Sequence, residues 1–172
     1  MEESLAGEFL RFSANKLRQL AQRIDVCLGG LNDEQIWARG SDNQNAIGNL
    51  ALHLCGNLRQ WIGAGVAGKP DIRVRDREFS ARGEISVVEL RERLKSTVED
   101  TAGILEGLPV DQLARRIEVQ GYTITVLEAI YSVVEHFGQH TGQILFATKM
   151  LTGGDLGFYG HLSRSAHGEK TP

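Results

Sequence analysis

The sequence has little cysteine, little proline and no long apolar run. The two cysteines, Cys27 and Cys55, lie in apolar stretches of a 172-residue chain, so two buried free thiols are favoured over a disulfide. No uninterrupted apolar run approaches the roughly 18 residues that a membrane-spanning helix needs. The N-terminus, residues 1–4, is acidic and lacks the basic-then-apolar pattern of a secretion signal. These absences predict a cytoplasmic protein that has no membrane partner.

An excess of basic charge is absent as well. The chain carries 19 Lys and Arg residues against 22 Asp and Glu, for a formal net charge of -3. The arginines between residues 73 and 82 alternate with acidic residues and form no clean basic patch, so nucleic acid is not an expected partner. A chain of this length favours one domain that buries roughly 70% of its unfolded surface without a disulfide or a structural metal.

What the chain does contain is helical periodicity. Apolar residues at three- and four-residue spacing predict four long helices, at 4–28, 45–64, 86–105 and 125–151. The inward stripe of the last helix is expected to comprise Val126, Ile130, Val133, Phe137, His140, Ile144 and Leu151. Each helix must bury one such stripe, so the predicted fold is all-α, a four-helix bundle.

The connections between these helices are less regular. One short turn is expected at 33–38, and the charged residues 70–84 are expected to be irregular. Alternating apolar and polar residues, followed by Gly121, predict a short strand or β-hairpin at 115–123, before the last long helix. The glycine-rich tail, 152–172, contains His161 and His167, which we expect to be exposed to solvent.

Three histidines are the most informative residues. His136 and His140 are four residues apart, so their imidazoles point the same way from one helix, and His53 borders the apolar stripe of another. Each histidine alone favours a half-buried side chain that bonds a carbonyl or water. Together they predict a three-nitrogen metal site with open coordination positions. Imidazole suits Zn, Ni, Cu and Fe(II), so the pattern does not name the metal.

Four polar residues near these histidines are candidates for holding a ligand or the substrate. Asn57 follows His53 by four residues, Gln139 and Gln143 each follow a histidine by three, and Glu135 adjoins His136. The alternative for Glu135 is a solvent-facing side chain, and for Asn57 a hydrogen bond between helices. Trp37 and Trp61 are expected in the core or in a pocket wall. Cys55 lies about 200° around the helix from His53, so it is not assigned as a ligand.

The stretches at 46–57 and 134–144 resemble the DinB/YfiT-like superfamily of metal-dependent enzymes, and 75–79 resembles an uncharacterised bacterial subgroup of it. The resemblance covers about residues 5–151 of a single domain spanning 1–172. It implies a four-helix bundle of unusual topology. It also implies a metal triad of one histidine from the second helix and two from the fourth, here His53, His136 and His140.

The resemblance further implies a reaction class. Characterised relatives include bacillithiol transferases and a mycothiol-dependent isomerase. The expected function is therefore transfer of a low-molecular-weight thiol to an electrophile, dependent on a divalent ion such as Zn, Ni, Fe or Mn. A hydrolase with a water nucleophile is the chemical alternative. Relatives often pair through helices, so a homodimer is also expected.

Two competing hypotheses assign the chain a role other than that of an enzyme. The chain is either a non-catalytic helical binding or dimerisation module, with or without metal, or a bundle whose histidines only complete core hydrogen bonds. An enzyme requires a pocket and open coordination beside the histidines. A binding module is expected to have a closed site or an apolar interface instead.

Overall fold

Four long helices, two short ones and one β-hairpin carry the fold of residues 4–160, the part of the chain that the computed structural model describes. The helices are α1 Leu5–Gly29, α2 Asp33–Trp37, α3 Ile47–Leu58, α4 Arg75–Ser80, α5 Val87–Glu106 and α6 Val126–Thr152. Strands β1 and β2, Arg116–Val119 and Tyr122–Thr125, pair antiparallel directly before α6. The all-α fold and the hairpin are therefore confirmed.

The core lies where the long helices meet, because α1 and α3 each pack against both α5 and α6. The predicted apolar stripes supply its fully buried side chains, which include Leu17, Ile24, Leu54, Leu58, Leu90, Leu94, Ile130 and Phe137. Leu151, predicted to face inward, is 40% exposed in the last turn of α6, so that assignment is wrong. Cys27 and Cys55 are both buried and free, as expected.

The second long helix departs from its predicted course. Instead of continuing to residue 64 as an α-helix, the chain winds into a π-helical segment, Arg59–Val66, after α3. The Ala67 N–H donates to the Ile62 carbonyl, five residues back, at 2.9 Å. Gly63 and Gly65 weaken the local preference for the α-helix, which permits this wider turn. The segment carries Trp61 towards the hairpin, where its ring lies 6.3 Å from that of Tyr122.

Residues 70–84 are not wholly irregular as predicted, because 75–80 form α4. Six residues cannot hold a helix by local propensity alone, so contacts from elsewhere must stabilise it. Asn49, fully buried in the first turn of α3, donates to the carbonyls of Glu78 and Ala81 at 2.8 and 3.1 Å. Arg39 also donates to the Ala81 carbonyl. These bonds attach α4 to α3.

The end of α6 is set by Gly153, whose φ of 66° is left-handed and favours glycine. His161 and His167, predicted to be exposed, lie outside the described residues. Within 4–160, no helix combines the length and the apolar character needed to cross a membrane.

Candidate metal centre

The three predicted histidines meet between α3 and α6. The Nε2 atoms of His53 and His140 each lie 3.1 Å from the Nε2 of His136. A capping box, in which the Thr125 hydroxyl accepts from the Glu128 N–H, begins α6 and fixes the turns that carry His136 and His140. His53 is buried and the other two are half-buried. The ring nitrogens that could bind a metal all lie within 4.8 Å of one another.

The hydrogen bonds at the far ring nitrogens decide which tautomers His53 and His140 adopt. His53 Nδ1 lies 2.9 Å from Glu78 Oε2, and His140 Nδ1 lies 2.7 Å from Gln143 Oε1. The ionised Glu78 carboxylate can only accept, so His53 Nδ1 donates to it, while Arg73 Nη2 lies 3.1 Å from the same nitrogen. With the Gln143 oxygen as acceptor, His140 Nδ1 donates as well. The Nε2 atoms then present lone pairs to the space between the rings, which is the state that binds a metal.

The spacing of these nitrogens also fits a metal ion. Nitrogens that ligate one zinc ion tetrahedrally at ~2.1 Å are about 3.4 Å apart. Two of the three pairs of Nε2 atoms are 3.1 Å apart, which is close to that value. Among the described residues, His136 Nδ1 is buried and has no hydrogen-bond partner. A metal ion bound at Nε2 would leave this nitrogen without a partner as well, so the fit to a metal rests on the spacing of the Nε2 atoms.

Glu78 and Arg73 hold the His53 ring in position, and neither was predicted from the sequence as a site residue. Arg73 Nε and Nη2 donate to the two Glu78 oxygens at 2.7 and 2.8 Å. Burial alone would raise the pKa of Glu78, but hydrogen bonds from Arg73 and His53 outweigh it and lower that pKa. Glu78 therefore stays ionised. No local pattern marks it, because it lies 25 residues from His53 in a segment predicted to be irregular.

A glycine makes room for this ion pair against α3. A Cβ atom at Gly56 would lie 1.9 Å from Glu78 Oε1 and 2.9 Å from Arg73 Nε. Gly56 comes one turn after His53, so its missing side chain opens the space through which the carboxylate reaches the imidazole. Any larger residue there would displace Glu78.

The four predicted supporting residues fall in different places. Gln143 contacts His140, while Asn57 and Glu135 line a pocket that includes His53 and His136. Gln139 is exposed and donates to Glu135. The structure thus brings Gln143, Asn57 and Glu135 to the site or its pocket, whereas Gln139 reaches it only through Glu135.

The pocket beside the histidines has a volume of about 470 Å³. Its lining combines basic, aromatic and amide side chains: His53, Asn57, Trp61, Arg73, Arg75, Gln120, Tyr122, Ile124, Ser132, Val133, Glu135 and His136. Trp61 forms part of the wall and Trp37 packs against the core, as expected. The Trp37 indole N–H donates to the Ile85 carbonyl. Cys55 is unsuited to act as a nucleophile, because burial raises the pKa of its thiol to about 11.

The surroundings keep the α6 histidines neutral. Burial, together with the charges of His140, His53 and the nearby arginines, lowers the pKa of His136 to about 4. Burial also lowers the pKa of His140. Near pH 7 both imidazoles are therefore neutral, so no proton has to leave before they bind a metal.

The sequence from residue 4 to residue 160 matches the family described as "Protein of unknown function (DUF1572)". The chain belongs to this family. No functionally curated protein matches the chain.

Two crystal structures show that this DUF1572 member shares its fold with other proteins. A conserved protein from Enterococcus faecalis is 15% identical, with a TM-score of 0.72 over 84% of this chain and 97% of that one. A DinB-like protein (YjoA) from Bacillus subtilis is 18% identical, with a TM-score of 0.60 over 91% and 98%. At these identities the likeness establishes the fold alone. The fold expected from the resemblance, that of a DinB-like protein, is therefore confirmed.

The lowered pKa of His136 predicts how the stability of the metal-free protein depends on pH. Between pH 6.5 and 4 the unfolded chain binds a proton at this histidine and the folded chain does not. The free energy of unfolding should therefore fall as the pH is lowered from 6.5 to 5. Urea unfolding of chelator-treated protein measures this slope, and His136→Gln should make it shallower. An identical slope in the variant would contradict the assignment.

Proposed function

We propose that this DUF1572 protein is a divalent-metal-dependent enzyme whose metal is held by His53, His136 and His140. The observation that carries the proposal is the convergence of three Nε2 atoms, two of them with lone pairs set by acceptors at Nδ1. Three protein ligands are the number found in catalytic zinc sites, where a further position stays open to water or substrate. The adjoining pocket supports a small-molecule substrate.

The proposed reaction is transfer of a low-molecular-weight thiol to an electrophile. A divalent ion, when bound, supplies a Lewis acid that favours the thiolate, the nucleophilic form. Glu78 and Gln143 hold the imidazoles of His53 and His140 in the ligating tautomer. Trp61 and Ile124 provide apolar pocket wall that excludes water from the thiol. Hydrolysis in the same pocket is the chemical alternative.

The donor set narrows the choice among Zn, Ni, Fe and Mn. Imidazole nitrogen is well suited to Zn, Ni and Fe(II), whereas Mn prefers carboxylate, carbonyl and water oxygens. The carboxylate nearest the triad, Glu78, is engaged by Arg73 and His53 and is not free to act as a ligand. We therefore propose Zn, Ni or Fe(II) before Mn.

A second candidate function is pairing of two copies without catalysis. The observation in its favour is a set of large, exposed apolar side chains on α6: Leu127, Tyr131, Phe146 and Met150. A pocket beside the triad, in contrast, favours the enzyme. Pairing and catalysis are compatible, so a homodimeric enzyme remains part of the proposal.

Metal content tests the proposed function. Untagged protein, purified without chelator, should contain about one divalent metal per chain, because one set of three ligands is present. The variant His53→Ala/His136→Ala/His140→Ala should lose it while circular dichroism shows a folded protein. His161→Ala/His167→Ala, which alters the other two histidines, is the matched control and should keep the metal. No metal in the wild type, even after Zn, Ni, Fe(II) or Mn is added, would leave only the non-catalytic module.

The role of Glu78 in orienting His53 is tested by Glu78→Gln. An amide oxygen accepts a weaker hydrogen bond from His53 Nδ1, and outer partners of metal ligands typically change affinity 10–100-fold. We expect zinc affinity, measured by competition with a chromophoric chelator, to fall about tenfold. Asp76→Asn makes the same charge change at an exposed site of α4 and should leave the affinity unchanged. Equal affinities in the two variants would refute the role.

A further inference from the structure

One cation in the pocket beside the histidines has unused hydrogen-bond donors. Arg75, the first residue of α4, places its guanidinium carbon 4.7 Å from the centre of the Phe79 ring. That ring in turn lies 4.8 Å from the His53 ring. Within residues 4–160, no hydrogen bond or ion pair engages the guanidinium of Arg75. The Phe79 ring thus separates the positive charge of Arg75 from His53.

The neighbouring arginines are used differently. Arg73 is buried and gives its donors to Glu78 and to Gln60. Arg77 faces a separate hollow of about 510 Å³, whose lining includes none of the three histidines. Arg82 donates to the backbone carbonyls of residues 79 and 81. Arg75 is therefore the arginine of this segment that both lines the histidine pocket and remains available to a ligand.

The rest of the pocket indicates what such a ligand looks like. Trp61 and Ile124 offer apolar surface, and the Trp61 Nε1 atom is buried with no hydrogen-bond partner among the described residues. Glu135, the acidic side chain of this lining, already accepts a hydrogen bond from Gln139. Among residues 4–160, Arg75 is the charged group of this lining that has no hydrogen-bond partner, and the amide of Asn57 and the hydroxyls of Ser132 and Tyr122 are neutral groups that have none. The guanidinium can only donate, so the space beside it suits an anion rather than a cation.

We propose that the substrate carries a carboxylate, which Arg75 binds while another atom of the substrate reaches the three histidines. The planar guanidinium forms paired hydrogen bonds with a carboxylate. A single guanidinium among neutral groups matches one negative charge better than a doubly charged phosphate. Arg75 is thus a residue that determines specificity. This inference rests on the proposed function, because it places the reacting end of the substrate at the metal.

The test compares two thiols that differ only in charge. The probes are β-mercaptopropionate and its neutral amide, titrated into the Co(II)-loaded protein, and the thiolate-to-cobalt absorption band reports binding. We expect the carboxylate probe to bind about tenfold more tightly than the amide, as charge-assisted hydrogen bonds typically allow. Arg75→Gln should abolish this preference without changing the affinity for Co(II) or for the amide. Arg77→Gln, on the same helix, should preserve it.

The outcomes separate this inference from the proposed function. Equal binding of the two thiols by the wild type, or a preference that survives Arg75→Gln, would overturn the carboxylate subsite while leaving the metal site intact. Failure of both thiols to bind the cobalt protein would also overturn it. Failure of the wild type to bind Co(II) would instead remove the proposed metal site itself.

Discussion

The hydrogen bond from His53 Nδ1 to Glu78 is the interaction on which the rest of the site depends. An ionised carboxylate can only accept, so this bond fixes the imidazole with its lone pair on Nε2, facing His136. The carboxylate stays ionised because Arg73 pairs with it, and it reaches His53 because Gly56 has no side chain. Without this carboxylate, Arg73 Nη2, which lies 3.1 Å from the same nitrogen and can only donate, would favour the opposite tautomer.

This arrangement costs the folded bundle some stability. A buried ion pair loses hydration that its attraction seldom fully recovers, so Arg73 and Glu78 are poor means of stabilising a fold. Asn49 is a further fully buried polar group, whose amide holds the backbone of α4 in position. Asn49 contacts Glu78, and Glu78 contacts His53. This series of buried polar contacts is better explained by a site that needs a particular geometry than by a contribution to stability.

Structural features that follow from helical periodicity can be predicted from the sequence, whereas features that depend on tertiary contacts cannot. His136 and His140 could be placed on one face of a helix because their spacing matches its turn. Glu78 could not be placed, since the short helix α4 is held by long-range hydrogen bonds such as that from Asn49 to the Glu78 carbonyl. The π-helical turn after α3 is likewise a local irregularity that periodicity does not show, although it brings Trp61 into the pocket wall.

Anomalous diffraction from crystals of zinc-loaded protein would locate the metal ion that the three Nε2 atoms are proposed to bind. One zinc peak is expected between α3 and α6, at roughly 2.0–2.1 Å from the Nε2 atoms of His53, His136 and His140. Glu78 should remain hydrogen-bonded to His53 Nδ1. A peak elsewhere, ligation through Nδ1, or no peak after zinc loading would refute this metal site.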